Sequence, residues 1–282
     1  LENERRPGMM EGYTGGTRWV PSFFTVADGA AFFRLPARDH AKAKEGVDMD
    51  WGAVIVAAGS GKRMGAGMNK AYLPLDGRPV LAHTLEAFEA CGAVSEIVIV
   101  AAAGEEAQAE ALAREHGIRK LAAVIPGGAE RQDSVYAGLA ALRAEGALVH
   151  DAARPLVTPE RIAACCAAAE ASGAAALAVP VKDTIKLSDG GGMIVSTPER
   201  SLLWAVQTPQ AFRRAELMDA HERARSEGAA ATDDAMLLER LGRKVAIVES
   251  DYANLKITTP EDLPIAELLL ERRRRDGLER NG

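Results

Sequence analysis

Gly52-Ala53-Val54-Ile55-Val56-Ala57-Ala58-Gly59-Ser60-Gly61-Lys62-Arg63-Met64 is the stretch that decides the fold. Its first six residues are small or β-branched and carry no polar side chain, the pattern of a strand buried on both faces. Small residues then follow at once, so the backbone can approach a ligand closely. Backbone N–H groups in such a loop can cradle phosphate, and Lys62, Arg63 and, after Asn69, Lys70 supply positive charge. Two common glycine motifs fail here. A GxxxxGK[ST] phosphate loop would need a glycine at Val56 and Ser or Thr at Arg63; a GxGxxG dinucleotide fingerprint would need a glycine at Met64.

Outward from this stretch, apolar runs alternate with amphipathic ones. Glu96–Ala101, Leu121–Ile125, Leu148–His150 and Ala175–Val181 read as further buried strands, and Pro79–Cys91, Glu105–His116, Arg131–Glu145 and Pro159–Ala171 as the helices between them. Such alternation predicts βαβ units and an α/β fold: a Rossmann-like, mostly parallel sheet flanked by helices. The alternation breaks after Val181, where Asp183–Ser188 and Met193–Ser196 around Asp189-Gly190-Gly191-Gly192 read as a hairpin with a glycine-rich tip. Leu217–Gly228 and Asp233–Leu241 then read as helices, Val245–Glu249 and Leu255–Ile257 as strands, and Pro260–Arg274 as a final helix with Pro near its start. Residues 1–49 lack clear periodicity and read as a disordered extension, with Met49 the expected natural start and the upstream part a translated leader. The domain is expected over 50–276, with 277–282 as a tail.

Bulk properties narrow the function. A formal net charge of -6 over 282 residues gives no global field to attract a polyanion, so a nucleic-acid partner is not expected and any phosphate must be held by local cations. Cys91, Cys165 and Cys166 form no CxxC, which fits a reducing cytoplasm better than a disulfide or zinc framework. No apolar run approaches the roughly 18 residues of a membrane helix, so no membrane partner is expected.

Several further segments complete the reading. They are Gly127-Gly128-Ala129-Glu130-Arg131-Gln132-Asp133-Ser134-Val135, His150-Asp151-Ala152-Ala153-Arg154-Pro155, Pro180–Lys186, Gln207-Thr208-Pro209-Gln210, Thr232-Asp233-Asp234 and Asn254-Leu255-Lys256-Ile257-Thr258. The first loop, AAGSGKRM…NKAYL, resembles the signature of nucleotidyltransferases of the sugar-nucleotide pyrophosphorylase type, many of which carry Pro where Asn69 stands. In order and spacing, the whole set over about residues 52–272 resembles the 2-C-methyl-D-erythritol 4-phosphate cytidylyltransferase family. The metal-ligand motifs of a fused cyclodiphosphate synthase domain are missing, which points to a monofunctional enzyme.

The resemblance implies transfer of CMP from CTP to methylerythritol phosphate in non-mevalonate isoprenoid synthesis. It assigns Ala57, Ala58, Gly59, Ser60, Gly61, Lys62, Gly128, Arg131, Ser134 and Ala152 to CTP. Arg63, Lys70, Arg200 and Lys256 are assigned to catalysis, and Asp151, Arg154, Thr184, Arg200, Thr232 and Lys256 to the acceptor. It also implies a homodimer in which the hairpin, an arm over about 183–200, embraces a second subunit, with Thr184 and Arg154 contributed across the interface.

Each residue has a plainer alternative. Asp151 closes an apolar strand, where α/β ligand sites lie, and a carboxylate there suits Mg²⁺, a hard cation that prefers oxygen ligands and phosphates; otherwise it caps a helix or joins an ion pair. Lysines between apolar residues, as Lys256 is, usually snorkel to the surface. His150 reads as a packed strand residue, since a phosphate nucleophile needs no base near neutral pH. Ribitol 5-phosphate as acceptor stays open, because both acceptors are short polyol phosphates. A non-catalytic nucleotide-binding protein would be expected to lack cations that this chain keeps, and a molybdopterin-type transferase would not explain HDAARP and NLKIT together.

Overall fold

The computed structural model describes residues 24–27, 30–33, 49–59 and 69–280. In chain order its strands are β1 (Phe24–Ala27), β2 (Ala30–Phe33), β3 (Trp51–Val56), β4 (Pro74–Leu75), β5 (Arg78–Pro79), β6 (Val94–Ala101), β7 (Leu121–Pro126), β8 (Gly146–Asp151), β9 (Ala174–Pro180), β10 (Leu187–Ser188), β11 (Ile194–Ser196), β12 (Trp204–Arg213) and β13 (Ala246–Glu249). The helices are α1 (Val80–Ala90), α2 (Glu106–Glu115), α3 (Arg131–Ala141), α4 (Pro159–Ser172), α5 (Arg214–Ser226), α6 (Asp234–Arg240) and α7 (Asp262–Arg280).

The main sheet runs β1-β2-β13-β9-β12-β8-β3-β6-β7. β3 pairs in parallel with both β6 and β8, and β6 pairs in parallel with β7. β3 shows why the sheet is two-sided. Trp51, Ala53 and Ile55 pack into one core with residues of α1, α2 and α4, and Val54 packs into the other with residues of α3, α5 and α6. Successive strand side chains point to opposite faces, so a strand covered on both sides must be apolar throughout. Each fully buried Val, Leu or Ile contributes about 1.5–3 kcal/mol, so this strand anchors the domain. A third cluster, with Leu75, Val80, Leu156, Ile257 and Ala266, seats α7.

Three features differ from the sequence reading. β12 is a ten-residue strand antiparallel to both β8 and β9. Pro209 hides it, since proline cannot donate to a ladder; here the register shifts between Val206 and Gln210, an irregularity of the kind that tolerates proline. Leu255–Ile257 forms no strand: Ile257 N–H donates to Ala153 O at 2.8 Å outside any ladder. At the chain ends, β1 and β2 pair as a hairpin within the stretch read as disordered, and β2 lies parallel to β13. The sequence between them is Asp28-Gly29, a pair that favours two-residue hairpins. α7 runs to Arg280, past the expected domain end at 276, through helix-forming Leu, Glu and Arg residues.

β10 and β11 form a separate two-stranded hairpin. Every residue from Lys182 to Thr197 is exposed, so this arm stands away from the domain.

Candidate active site

The chain leaves β3, adds β6 and β7 on one side, then returns to place β8 on the other. This makes β3 a topological switch point, and ligands of open α/β sheets bind at the carboxyl ends of strands beside such a point. A cavity of about 290 Å³ lies there. The end of β3 (Val56 to Gly59), Lys70, the turn from Gly128 into α3, Asp151 to Ala153 and Lys256 line it.

The turn before α3 is built by close packing. A Cβ on Gly127 would stand 2.4 Å from the Ala58 Cβ, and one on Gly128 would stand 2.3 Å from the Asp133 Cβ. Any side chain there would push the helix away from the sheet. Ser134 Oγ accepts from Gly128 N–H at 3.1 Å and donates to Glu130 O at 3.1 Å, which ties the turn to the helix. The start of α3 thus faces the cavity, and helix N-termini favour anions.

The floor is a chain of charges. Arg131, the first residue of α3, donates from Nε to Asp151 Oδ1 at 3.3 Å and from Nη1 to Asp234 Oδ2 at 2.8 Å. Lys256 Nζ stands 2.6 Å from Asp151 Oδ2. Burial alone would raise the Asp151 carboxyl, but the Arg131 and then the Lys256 cation outweigh it and hold it well below the usual carboxylate range. Asp234 is fully buried; burial again pushes its carboxyl up and Arg131 more than reverses this. The Arg131 guanidinium, desolvated but faced by two carboxylates, is held above its ordinary value. His221 Nε2 lies 3.4 Å from the other Asp234 oxygen.

Behind the floor, His150 is buried. Its Nδ1 lies 3.1 Å from Thr208 Oγ1 and its Nε2 3.2 Å from Arg154 O. Thr208 Oγ1 also accepts from Asp151 N–H at 3.1 Å. A neutral ring with its proton on Nε2 satisfies all three contacts. Burial pushes the ring down to about 3, so it stays neutral near pH 7 and props the Asp151 backbone.

The family model described as 2-C-methyl-D-erythritol 4-phosphate cytidylyltransferase (IspD) matches residues 52–272. The chain belongs to this family. It is 54% identical over 224 residues to the enzyme of that name from Pelotomaculum thermopropionicum, covering 78% of this chain and 94% of the relative. It is 50% identical over 226 residues to that of Geobacillus thermodenitrificans, covering 80% and 99%. Among solved structures, a 4-diphosphocytidyl-2C-methyl-D-erythritol synthase from Anaerococcus prevotii superposes with a TM-score of 0.72 at 30% identity, covering 80% of this chain and 98% of that one. A 2-C-methyl-D-erythritol 4-phosphate cytidylyltransferase from Thermus thermophilus gives 0.64 at 36% identity, covering 77% and 98%. As an IspD-family member the chain is a nucleotidyltransferase, a cytidylyltransferase of isoprenoid precursor biosynthesis.

Of the IspD-type residues expected from sequence, Ala57, Ala58, Gly59, Lys70, Gly128, Arg131, Ser134, Asp151, Ala152 and Lys256 meet around one cavity. Ser60, Gly61, Lys62 and Arg63 lie outside the described residues. Four residues are not brought to the cavity within one chain. Arg154 points behind the floor, where its Nη1 donates to Asn254 O at 2.8 Å. Thr232 is exposed beside Met236, its Oγ1 3.7 Å from that sulfur. Thr184 lies on the exposed arm, and Arg200 at its base, where it donates to Lys182 O at 3.2 Å. Asp234 and Asn69 went unassigned. Both stand in quoted motifs, but a burial-dependent ion pair and a capping amide leave no periodic signal. Among the described residues no helix is long and apolar enough to cross a membrane, and no group of three His, Cys, Asp or Glu residues could hold a metal ion unaided.

Proposed function

We propose that this cavity binds CTP and a methylerythritol phosphate acceptor and directs an in-line attack of an acceptor phosphate oxygen on the α-phosphorus, with pyrophosphate leaving. The juxtaposition of Lys70, Arg131, Asp151 and Lys256 around the α3 N-terminus and the end of β3 carries the reading. Both reactants are anions, so catalysis is chiefly positioning and charge stabilisation. Opposite charges ~4 Å apart attract by roughly 4 kcal/mol at an effective dielectric near 20, so a few placed cations suffice to favour the transition state.

Lys70 and Arg63 stabilise charge developing on the α-phosphate, and Lys62 holds the outer phosphates. The backbone at Ala57, Ala58, Gly59, Ser60, Gly61 and Ala152 follows the triphosphate and ribose. Gly128, Arg131 and Ser134 face the base; Ser134 Oγ keeps one lone pair beyond its two contacts. Selectivity for cytosine follows because each unpaired polar group would penalise a wrong base by ~1–3 kcal/mol. Lys256 holds the acceptor phosphate.

Enzymes of this family generally use a divalent cation, and the donor set here fits one. Asp151 offers a single buried carboxylate, enough for Mg²⁺ when phosphate oxygens and waters complete its shell. Once bound, the cation neutralises charge on the triphosphate. Asp151 would hold the cation, and Lys256, which faces Asp151 at 2.6 Å, would be the cation left for the acceptor phosphate.

Thr184, on the arm, reaches a site by crossing to a second copy of the chain, the route also expected for Arg154, which within one chain donates to Asn254 O instead. The arm's apolar side chains support this: Ile194 and Val195 are 66% and 65% exposed, one on each face of the hairpin, and a second copy would cover them. The residue range 50–276 is the catalytic unit, and a cytoplasmic location suits three unpaired buried thiols.

Pyrophosphate release by the purified protein with Mg²⁺ and CTP tests the reading. Release is expected with methylerythritol 4-phosphate and absent with ribitol 5-phosphate; release with ribitol 5-phosphate alone would replace the acceptor, and release with neither would refute the assignment.

A further inference from the structure

Lys70 opens a short 3-10 turn, Lys70–Tyr72, and its Cε lies 3.9 Å from where a Cβ on Gly59 would stand. A lysine held over a phosphate-binding backbone is useful if the turn that carries it is fixed, and the residue that fixes this turn is Asn69. Asn69 is 8% exposed, and its amide is fully engaged. One Nδ2 hydrogen goes to Ala57 O at 2.9 Å and the other to Glu105 Oε2 at 2.7 Å. The amide oxygen accepts from Ala71 N–H at 3.1 Å, and Asn69 O accepts from Tyr72 N–H at 3.0 Å. Those contacts spend both donors of the side chain and cap the turn.

The partners are themselves anchored. Ala57 N–H donates to Val100 O at 2.8 Å, so the carbonyl Asn69 grips belongs to the edge of the central sheet. Glu105 precedes α2; its N–H donates to Ala102 O at 2.9 Å and its carbonyl accepts from Ala109 N–H at 2.9 Å. Tyr72, within the same turn, donates its hydroxyl to Glu105 O at 3.4 Å. Three segments far apart in sequence therefore meet at one amide beside the catalytic lysine.

The backbone of Asn69 has φ -64° and ψ 128°. A proline ring would fix φ near -65°. Position 69 thus holds, through hydrogen bonds, a conformation that proline would impose covalently.

We propose that Asn69 is a positioning residue that acts with Glu105 to hold the turn presenting Lys70, an inference that rests on the catalytic reading of Lys70 above. Removing the side chain frees the turn while leaving Lys70 in the chain, and a displacement near 1 Å at a reacting centre costs on the order of a hundredfold. The loss falls on kcat, because Lys70 acts on the transition state rather than on ground-state binding.

The test is steady-state pyrophosphate release by the full chain with Mg²⁺, CTP and methylerythritol 4-phosphate, with a thermal melt for each variant. Asn69→Ala is expected to lower kcat by about ten- to a hundredfold with KM for CTP within about twofold. Asn69→Pro is expected to recover most of that loss. Glu105→Ala should lower kcat several-fold alone and add nothing in the Asn69→Pro background. A melting temperature that falls in Asn69→Ala while kcat holds would overturn the proposal, as would failure of Asn69→Pro to recover kcat. If Asn69→Ala does not fold, Glu105→Ala decides, since it removes one hydrogen bond from a half-buried residue; unchanged kcat there sinks the clamp. Lys70→Ala separates the two readings. A normal kcat in Lys70→Ala removes the catalytic role itself, whereas a large loss there with a silent Asn69→Ala removes only the clamp.

Discussion

The cavity floor and the arm break the usual distribution of residues in opposite directions. On the floor, charged groups are inside: Asp234 is fully buried, Asp151 nearly so, and Arg131 bridges them. On the arm, apolar groups are outside: Met193 is 69% exposed, and Leu187, Ile194 and Val195 are each more than half exposed. Buried charge is tolerated when paired and hydrogen-bonded, and the floor meets that condition within a single chain. Exposed apolar surface carries the opposite cost, relieved only by covering it. The floor is therefore complete by itself, whereas the arm leaves its apolar side chains open to the second copy proposed above.

That contrast can be broken experimentally. The largest effect is expected at the cavity: Lys70→Ala should lower kcat by about two to three decades, read by pyrophosphate release, and a near-normal rate would move the chemistry elsewhere. Next is the floor's own stability. Asp234→Ala leaves Arg131 without one of its two carboxylates and should destabilise the fold by about 3 kcal/mol in urea denaturation; a loss below about half a kcal/mol would show that the network is not held together as a unit. The arm should behave in reverse. Leu187→Asp with Ile194→Asp should change monomer stability by less than about 0.5 kcal/mol, yet halve the mass seen by sedimentation at micromolar protein. An unchanged mass would mean that the arm does not join two copies. The smallest effect concerns the thiols. Cys91, Cys165 and Cys166 are buried, and burial pushes the Cys165 thiol up to about 12. Near pH 8 each is expected to ignore a disulfide reagent until urea opens the domain, because the thiolate is the reactive form; prompt labelling of the native protein would contradict this.

Much of the fold was legible because it is written locally. β3, β6, β8 and β9 stand within a few residues of their expected ends, since a strand covered on both faces must be apolar without interruption; β7 also forms where expected, but at the edge of the sheet, with Ala122 and Pro126 exposed rather than buried. The hairpin was legible from its glycines. β12 was not, because Pro209 interrupts the pattern and the strand's neighbours, β8 and β9, lie far earlier in the chain. Asp151 was read correctly as closing a strand at the sheet's carboxyl edge, whereas the two cations that set its state come from helix and loop segments that only folding delivers.

By itself the sequence determined the alternation of strands and helices, the small-residue loop after the first core strand and the motifs that mark the family, all of which depend on neighbouring residues. Tertiary structure decided which charges share a desolvated space. Arg131 and Asp234 lie 103 positions apart, and Asn69 and Glu105 lie 36 apart. Their pairing depends on how α3, α6 and the start of α2 pack over the sheet. Electrostatic and hydrogen-bond strength rises as water is excluded, and exclusion of water is a property of the packed fold that no local pattern encodes.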